Sequence, residues 1–254
     1  GRARAGLAAG PGREAVGVAR ARRAVGPSPA VAAAAHPASR ALLLAAGLAG
    51  SATAETITVC LDGSCDYTDI QEAIDASANF DVIEIAAGTY LLDEPVIVYG
   101  PSVEIRGAVD GKGRPATILD GQGAGQVLAI ILAVGETARV ENVVITNGFA
   151  EFGVGLWIRH SLVDFENCVI SGNHAETQGG GMFLNTLPGL PITFDSCEIS
   201  GNTVSHPKFD SGYGGAGWIS EGLVRLIDTE VSGNSAEHSG GLVEHDVTIF
   251  INDQ

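Results

Sequence analysis

Lysine is almost missing from this chain, which holds two, Lys112 and Lys208, and most of its arginines crowd into the first fifty-four positions. Seven arginines precede Glu55 against a single acidic residue, Glu14, whereas from Glu55 onward seven basic residues face twenty-nine acidic ones, a net charge of −22. A field of that sign repels phosphate backbones and anionic membranes, excluding nucleic acid as a partner, and attracts cations such as Ca2+. Long apolar runs are missing too. The run "ALLLAAGLAG" from Ala41 has ten residues, where a membrane-spanning helix needs about 20, so no transmembrane helix is expected. Cysteine gives no zinc site, because the C-x4-C of Cys60 and Cys65 has no second Cys or His pair at a matching interval. "GQGAGQ" at Gly121 and "GAVDGKG" at Gly107 lack the spacing and the following helix of nucleotide loops and read as turns.

What is abundant is glycine. Thirty-five glycines without a collagen period, set among Val and Ile, predict many tight turns between many short strands. The first fifty-four residues stand apart, without helix or strand periodicity. Arg40, the apolar run and the Ala52-Thr53-Ala54 cleavage pattern predict a disordered upstream segment ending in a secretory signal peptide over 1–54. Export fits a local disulfide across "CLDGSC", where Gly63 permits the turn that would bring Cys60 to Cys65.

The rest of the chain repeats itself. "NCVISGNHAETQGGGMF" from Asn167 returns as "SCEISGNTVSHPKFDSGYGGAGW" from Ser196 and as "DTEVSGNSAEHSGGLV" from Asp228. Aligned on Ile145, Ile170, Ile199 and Val231, the units are 25, 29 and 32 residues long and vary only between "SGN" and the glycine cluster. Constant strands with elastic loops predict a solenoid in which each coil, of two or three strands, buries its inward side chains only against the next. Equivalent residues then stack about 4.8 Å apart. Three inward columns are expected: Ile145, Ile170, Ile199 and Val231; Val143, Cys168, Cys197 and Thr229; and Phe165, Phe194 and Leu226. Cys168 and Cys197 read as packing, with a disulfide between rungs left open. Asn173, Asn202 and Asn234 form a turn column whose amides would bond along the stack and whose backbone would take the left-handed conformation. The segment "TDIQEAIDASA" is the one helical pattern, with Thr68 and Gln71 as a capping box and Ile70, Ala73, Ile74 and Ser77 on one face, and it would cover the open end of the first coil. The apolar "TIFINDQ" at the end predicts further coils beyond it.

Two stretches carry a family resemblance. "DGSCDYTDIQEAIDAS…DVIEIAAGTYLLDEPVIV" resembles the opening of right-handed parallel β-helix proteins of the pectin-lyase-like superfamily, including pectinesterases and pectate lyases. "ISGN…GGGM", "ISGN…GGAG" and "VSGN…GGLV" are similar to the repeats of polymorphic outer membrane proteins and related bacterial surface β-helix proteins. The resemblance implies an all-β, right-handed parallel β-helix over 55–254 that enters through a cap helix. It implies no catalytic residue, since the Q-A-V and D-F-I-F-G segments of pectinesterases and the N-T-D, D-D, G-H-G and R-I-K motifs of polygalacturonases are missing.

Candidate site residues come from the outward columns. Glu198 pairs with Glu230 and Glu166 with Asp195, side by side on one expected sheet; Asp195, Glu198 and Glu230 are candidate Ca2+ ligands, bridging to an acidic polysaccharide. The long loop "VSHPKFDSGY" brings His206, Lys208 and Asp210 beside them, and Lys208 or Arg225 would be the base of a Ca2+-dependent, pectate-type lyase. Trp157 and Phe183, continued by Ile219 and Val243, form an outward apolar row able to stack on sugar faces or dock another chain. The leading expectation is a secreted or surface-displayed, non-catalytic module for adhesion, structure or contact with a glycan or cell-surface protein; the lyase is its alternative.

Overall fold

A computed structural model describes residues 54–251 apart from 134, 186, 188–190 and 207–211. The leader expected over 1–54, save Ala54, and Lys208 and Asp210 of the long loop therefore lie outside the described residues. After β1 (Thr56–Val59) and α1 (Ile70–Ala76), the chain winds through β2 (Asp81–Ile85) and β3 (Gly88–Leu91), then β4 (Val96–Gly100), β5 (Val103–Gly107) and β6 (Thr117–Asp120). Two coils of four strands each follow: β7 (Leu128–Leu132), β8 (Thr137–Glu141), β9 (Val143–Thr146) and β10 (Phe149–Phe152), then β11 (Leu156–Arg159), β12 (Leu162–Glu166), β13 (Val169–Ser171) and β14 (His174–Gln178). The next coil has β15 (Met182–Asn185), β16 (Pro191–Asp195), β17 (Glu198–Ser200) and β18 (Thr203–Val204), and the last strands are β19 (Gly217–Ile227), β20 (Glu230–Ser232) and β21 (Leu242–Ile251).

Pairings between these strands are parallel and join one coil to the next, which defines an all-β parallel β-helix. The three middle coils have four strands, more than the two or three expected, because the short segments after Gly148, Asn173 and Asn202 pair as well, giving the three-stranded sheet β10-β14-β18. The other walls are β3-β6-β9-β13-β17-β20 and two faces, β1-β2-β5-β8-β12-β16 and β4-β7-β11-β15. These two faces merge at β19, which pairs through residues 217–220 with β15 and through 223–227 with β16.

The expected inward columns are present and longer than the repeats alone reveal. Tyr90, Leu119, Ile145, Ile170, Ile199 and Val231 stand in register, and so do Ile83, Ile105, Val140, Phe165, Phe194 and Leu226. Phe165 and Phe194 stack with ring centroids 4.9 Å apart. Burying each ring contributes about 1.5–3 kcal/mol, and stacking adds about 0.5–1.5 kcal/mol. The interior is apolar along the coils, so a polar side chain buried there needs hydrogen-bond partners, which the neighbouring rungs can supply.

The asparagine column meets that condition. Asn173 Nδ2 donates to Asn202 Oδ1 at 3.0 Å, Asn202 Nδ2 donates to Asn234 Oδ1 at 3.0 Å, and the same amides reach Ile145 O and Ile170 O. The left-handed residue, however, is the glycine before each: Gly172, Gly201 and Gly233 have φ of 66°, 62° and 63°. This leaves the asparagines free to point inward. The glycine clusters answer them, for a Cβ on Gly155 would stand 2.6 Å from Asn173 Nδ2 and one on Gly181 2.8 Å from Asn202 Nδ2.

Helix α1 is shorter than its sequence pattern and starts one residue later than the capping box predicts. Asp69 is the N-cap, accepting from Glu72 N at 3.0 Å, while Gln71 turns aside to bond both Ile97 N and Ile97 O on β4. Ser77 is not on the apolar face but ends the helix, its hydroxyl donating to Ile74 O. Ile70, Ala73 and Ile74 are buried in the core beside the first rungs. Cys60 and Cys65 form the expected disulfide, with Cα atoms 5.5 Å apart. Beside it, the Thr58 hydroxyl and amide both donate to Asp66 and hold its carboxyl below the usual range.

Candidate functional site

The acidic residues picked out as Ca2+ ligands do not share one sheet. Glu166 and Asp195 are in register on β12 and β16, but Glu198 and Glu230 are in register on β17 and β20, around a corner from them. Asn167 and Ser196 turn that corner with φ of 48° and 53°, so the two pairs face different directions. Among the described residues no three His, Cys, Asp or Glu side chains gather as a metal site. Glu166 has a protein partner instead: Arg139 bonds both Glu141 and Glu166, and Arg106 bonds Glu84, Glu104 and Glu141. Such half-exposed pairs contribute about 0–1 kcal/mol each, but they interleave cations through the carboxylates of this face. Arg225 is exposed on β19, in register with Thr193 and, one rung further, Asp164.

A hollow at another corner is lined by Asp120, Asn147, Phe149 and His174. Its polar groups already have partners: Asn147 Nδ2 donates to Asp120 Oδ2 at 3.0 Å, and the His174 ring nitrogens contact Thr203 Oγ1 and Ser205 Oγ. Stacked on Phe149 with ring centroids 5.4 Å apart, His174 is a packed corner residue.

The face built from β4, β7, β11, β15 and residues 217–220 is different. Its strands read VIVYG, LAIIL, LWIR, MFLN and GWIS, without one carboxylate, although acidic side chains line the neighbouring walls. Along it Ile97, Trp157, Phe183 and Trp218 lie in register on the outer side, with the buried Ala129 between Ile97 and Trp157, and Val243 of β21, next to the exposed Glu244, continues the row. Trp218 takes the place expected of Ile219, which is instead wholly buried behind Leu184. The one-residue slip has a steric origin. Gly217 pairs with Met182, whose side chain fills the room a Cβ on Gly217 would need, 2.5 Å from Met182 Cγ; Gly217 therefore holds an inward strand position, and the next residue, Trp218, faces outward.

The row is half-buried and edged by further rings. Phe152 lies 5.8 Å from Phe183, and Tyr213 meets Trp218 edge-on at 6.3 Å while stacking on His238 at 4.7 Å. Phe152 and Tyr213 keep 41% and 37% of their surface open. Beside the aromatic row runs a polar one, Arg159, Asn185 and Ser220, on the same strands two residues on. Arg159 is exposed and has no ion-pair partner among the described residues. Sequence reading missed Trp218, Arg159 and Phe152; the W-I-R spacing in β11 held the signal for Arg159, since residues two apart on a strand share a face.

No protein-family model matches the chain, and no curated protein matches it. Among solved structures it is similar to a pectin methylesterase from carrot, with 17% identity, a TM-score of 0.38 and coverage of 80% of this chain and 84% of that one. No helix among the described residues is long and apolar enough to cross a membrane.

Proposed function

We propose that this is a non-catalytic, secreted or surface-displayed β-helix module that contacts an acidic polysaccharide through the carboxylate-free face. The observation that carries the reading is the registered row Trp157, Phe183 and Trp218 beside the cation Arg159, which has no ion-pair partner among the described residues, on a wall whose strands β4, β7, β11 and β15 hold no acidic residue. Aromatic rings offer flat apolar area to the faces of sugar rings, and a guanidinium takes a carboxylate through two parallel hydrogen bonds. Elsewhere the surface is negative and repels a polyanion, so the face supplies attraction at short range where the whole molecule supplies none.

Titration of tryptophan fluorescence with oligouronates and with neutral oligosaccharides tests this. Saturable change with the uronate is expected; Trp157→Ala should weaken it about tenfold, the equivalent of about 1.4 kcal/mol, and Arg159→Ala should narrow the preference for the acidic glycan over the neutral one. Absence of any glycan response would refute the reading. If the protein instead releases an unsaturated product from the uronate, in a chelator-sensitive way that Arg225→Ala or Lys208→Ala abolishes, it is the Ca2+-dependent lyase.

A further inference from the structure

Cys168 and Cys197 take no part in the face above, yet they are two free thiols in the same position of successive rungs. Their neighbours on both sides are in register, Glu166 with Asp195 and Val169 with Glu198, and Glu198 N donates to Cys168 O at 2.9 Å. In-register parallel strands lie about 4.8 Å apart, inside the roughly 4.4–6.8 Å between Cα atoms that a disulfide bridges. The Cys197 sulfur already leans onto the rung of Cys168, accepting from Cys168 N at 3.4 Å; the Cys168 sulfur points back to Val140 O, also at 3.4 Å, and has to turn from it.

We propose that Cys168 and Cys197 are a covalent modification site, a dithiol that a small-molecule disulfide oxidises to a bond tying one rung to the next. Cys197 is the attacking sulfur. Contact with the Cys168 side chain holds it below the ordinary thiol value, and its sulfur already accepts from the Cys168 amide at 3.4 Å, which favours the thiolate, whereas burial pushes Cys168 up; the thiolate is the reactive form. The Cys197 thiolate attacks one sulfur of the small disulfide, making a mixed disulfide and releasing one thiol. The Cys168 sulfur then attacks Cys197 Sγ, forming the cross-rung bond and expelling the second thiol. The two protons leave with the two thiols, and the protein's two-electron oxidation is balanced by reduction of the small disulfide. Both cysteines are buried, at 1% and 3% exposure, so the reaction needs the corner to open and its rate follows that opening.

The test uses the whole chain and oxidised glutathione across sub-denaturing urea, followed by alkylation, digestion after glutamates without reduction, and mass spectrometry. Glu176 lies between the two cysteines and separates their peptides. The expected result is the two peptides joined and lighter by two hydrogens, in a fraction that rises with urea while the Cys60–Cys65 bond persists. Cys168→Ser should stop at a glutathione adduct on Cys197. Recovery of both wild-type cysteines as alkylated thiols, a glutathione adduct that never closes in the wild-type chain, or cross-links to Cys60 or Cys65 would each overturn the proposal. The wild-type cross-link map decides alone if the serine variant does not fold.

Discussion

Asn202 is wholly buried and makes four contacts through one carboxamide: it donates to Ile170 O and Asn234 Oδ1, and accepts from the backbone and side-chain amides of Asn173. Asn202→Ala would leave Ile170 O and Asn173 N without those partners in the buried interior. The expected loss is roughly 3 kcal/mol, read as a lower urea midpoint at unchanged slope. At this scale the sequence was informative wherever a residue recurred: the columns through Ile170, Phe165 and Cys168 follow from the repeats because stacking forces equivalent residues together. It misled where glycine has two meanings. Gly201 takes the turn's left-handed backbone so that Asn202 need not, and Gly217 fills a side-chain position opposite Met182, which hid Trp218 from view.

Strands were easier to read than the helix start or the corners. Alternating apolar residues mark each strand, but the start of α1 depends on which of two adjacent residues, Thr68 or Asp69, has its oxygen over the first turn. Asp69→Ala is expected to destabilise the chain by about 1 kcal/mol, with Thr68→Ala close to neutral, both measured by denaturant unfolding; the reverse order would restore Thr68 as the cap. β19 was not foreseeable as one element. Its halves resemble separate strands in the earlier rungs, where a corner such as Arg159–Leu162 separates them, and only the pairing with both β15 and β16 reveals the continuous run.

For the whole molecule, the balance of charge was plain from composition, but its distribution was not, since assigning a carboxylate to a wall requires the register of every rung. Segregation of acid away from one wall is what separates that wall from its neighbours. The −22 carried from Glu55 onward also bears on stability. Raising salt from about 0.01 to about 0.15 M shortens the screening length from roughly 30 to roughly 8 Å, which relieves repulsion across the compact coil. The same salt weakens the Arg106 and Arg139 ladders, whose pairs are worth too little to reverse the trend. The denaturation midpoint is therefore expected to rise over this range, and a fall would mean that the ion-pair ladders outweigh the net charge.

The fit between Asn173 and Gly155, and between Asn202 and Gly181, falls within single turns of the solenoid. Both of these turns carry the bare backbone near the beginning and the carboxamide that occupies the hollow near the end. A gene segment copied in tandem thus arrives already matched to itself, and such a protein can lengthen by whole turns without redesigning its interior. A duplication of half a turn would set one amide against another and leave an adjacent hollow empty. Inheritance in complete units is the growth rule that this fit imposes.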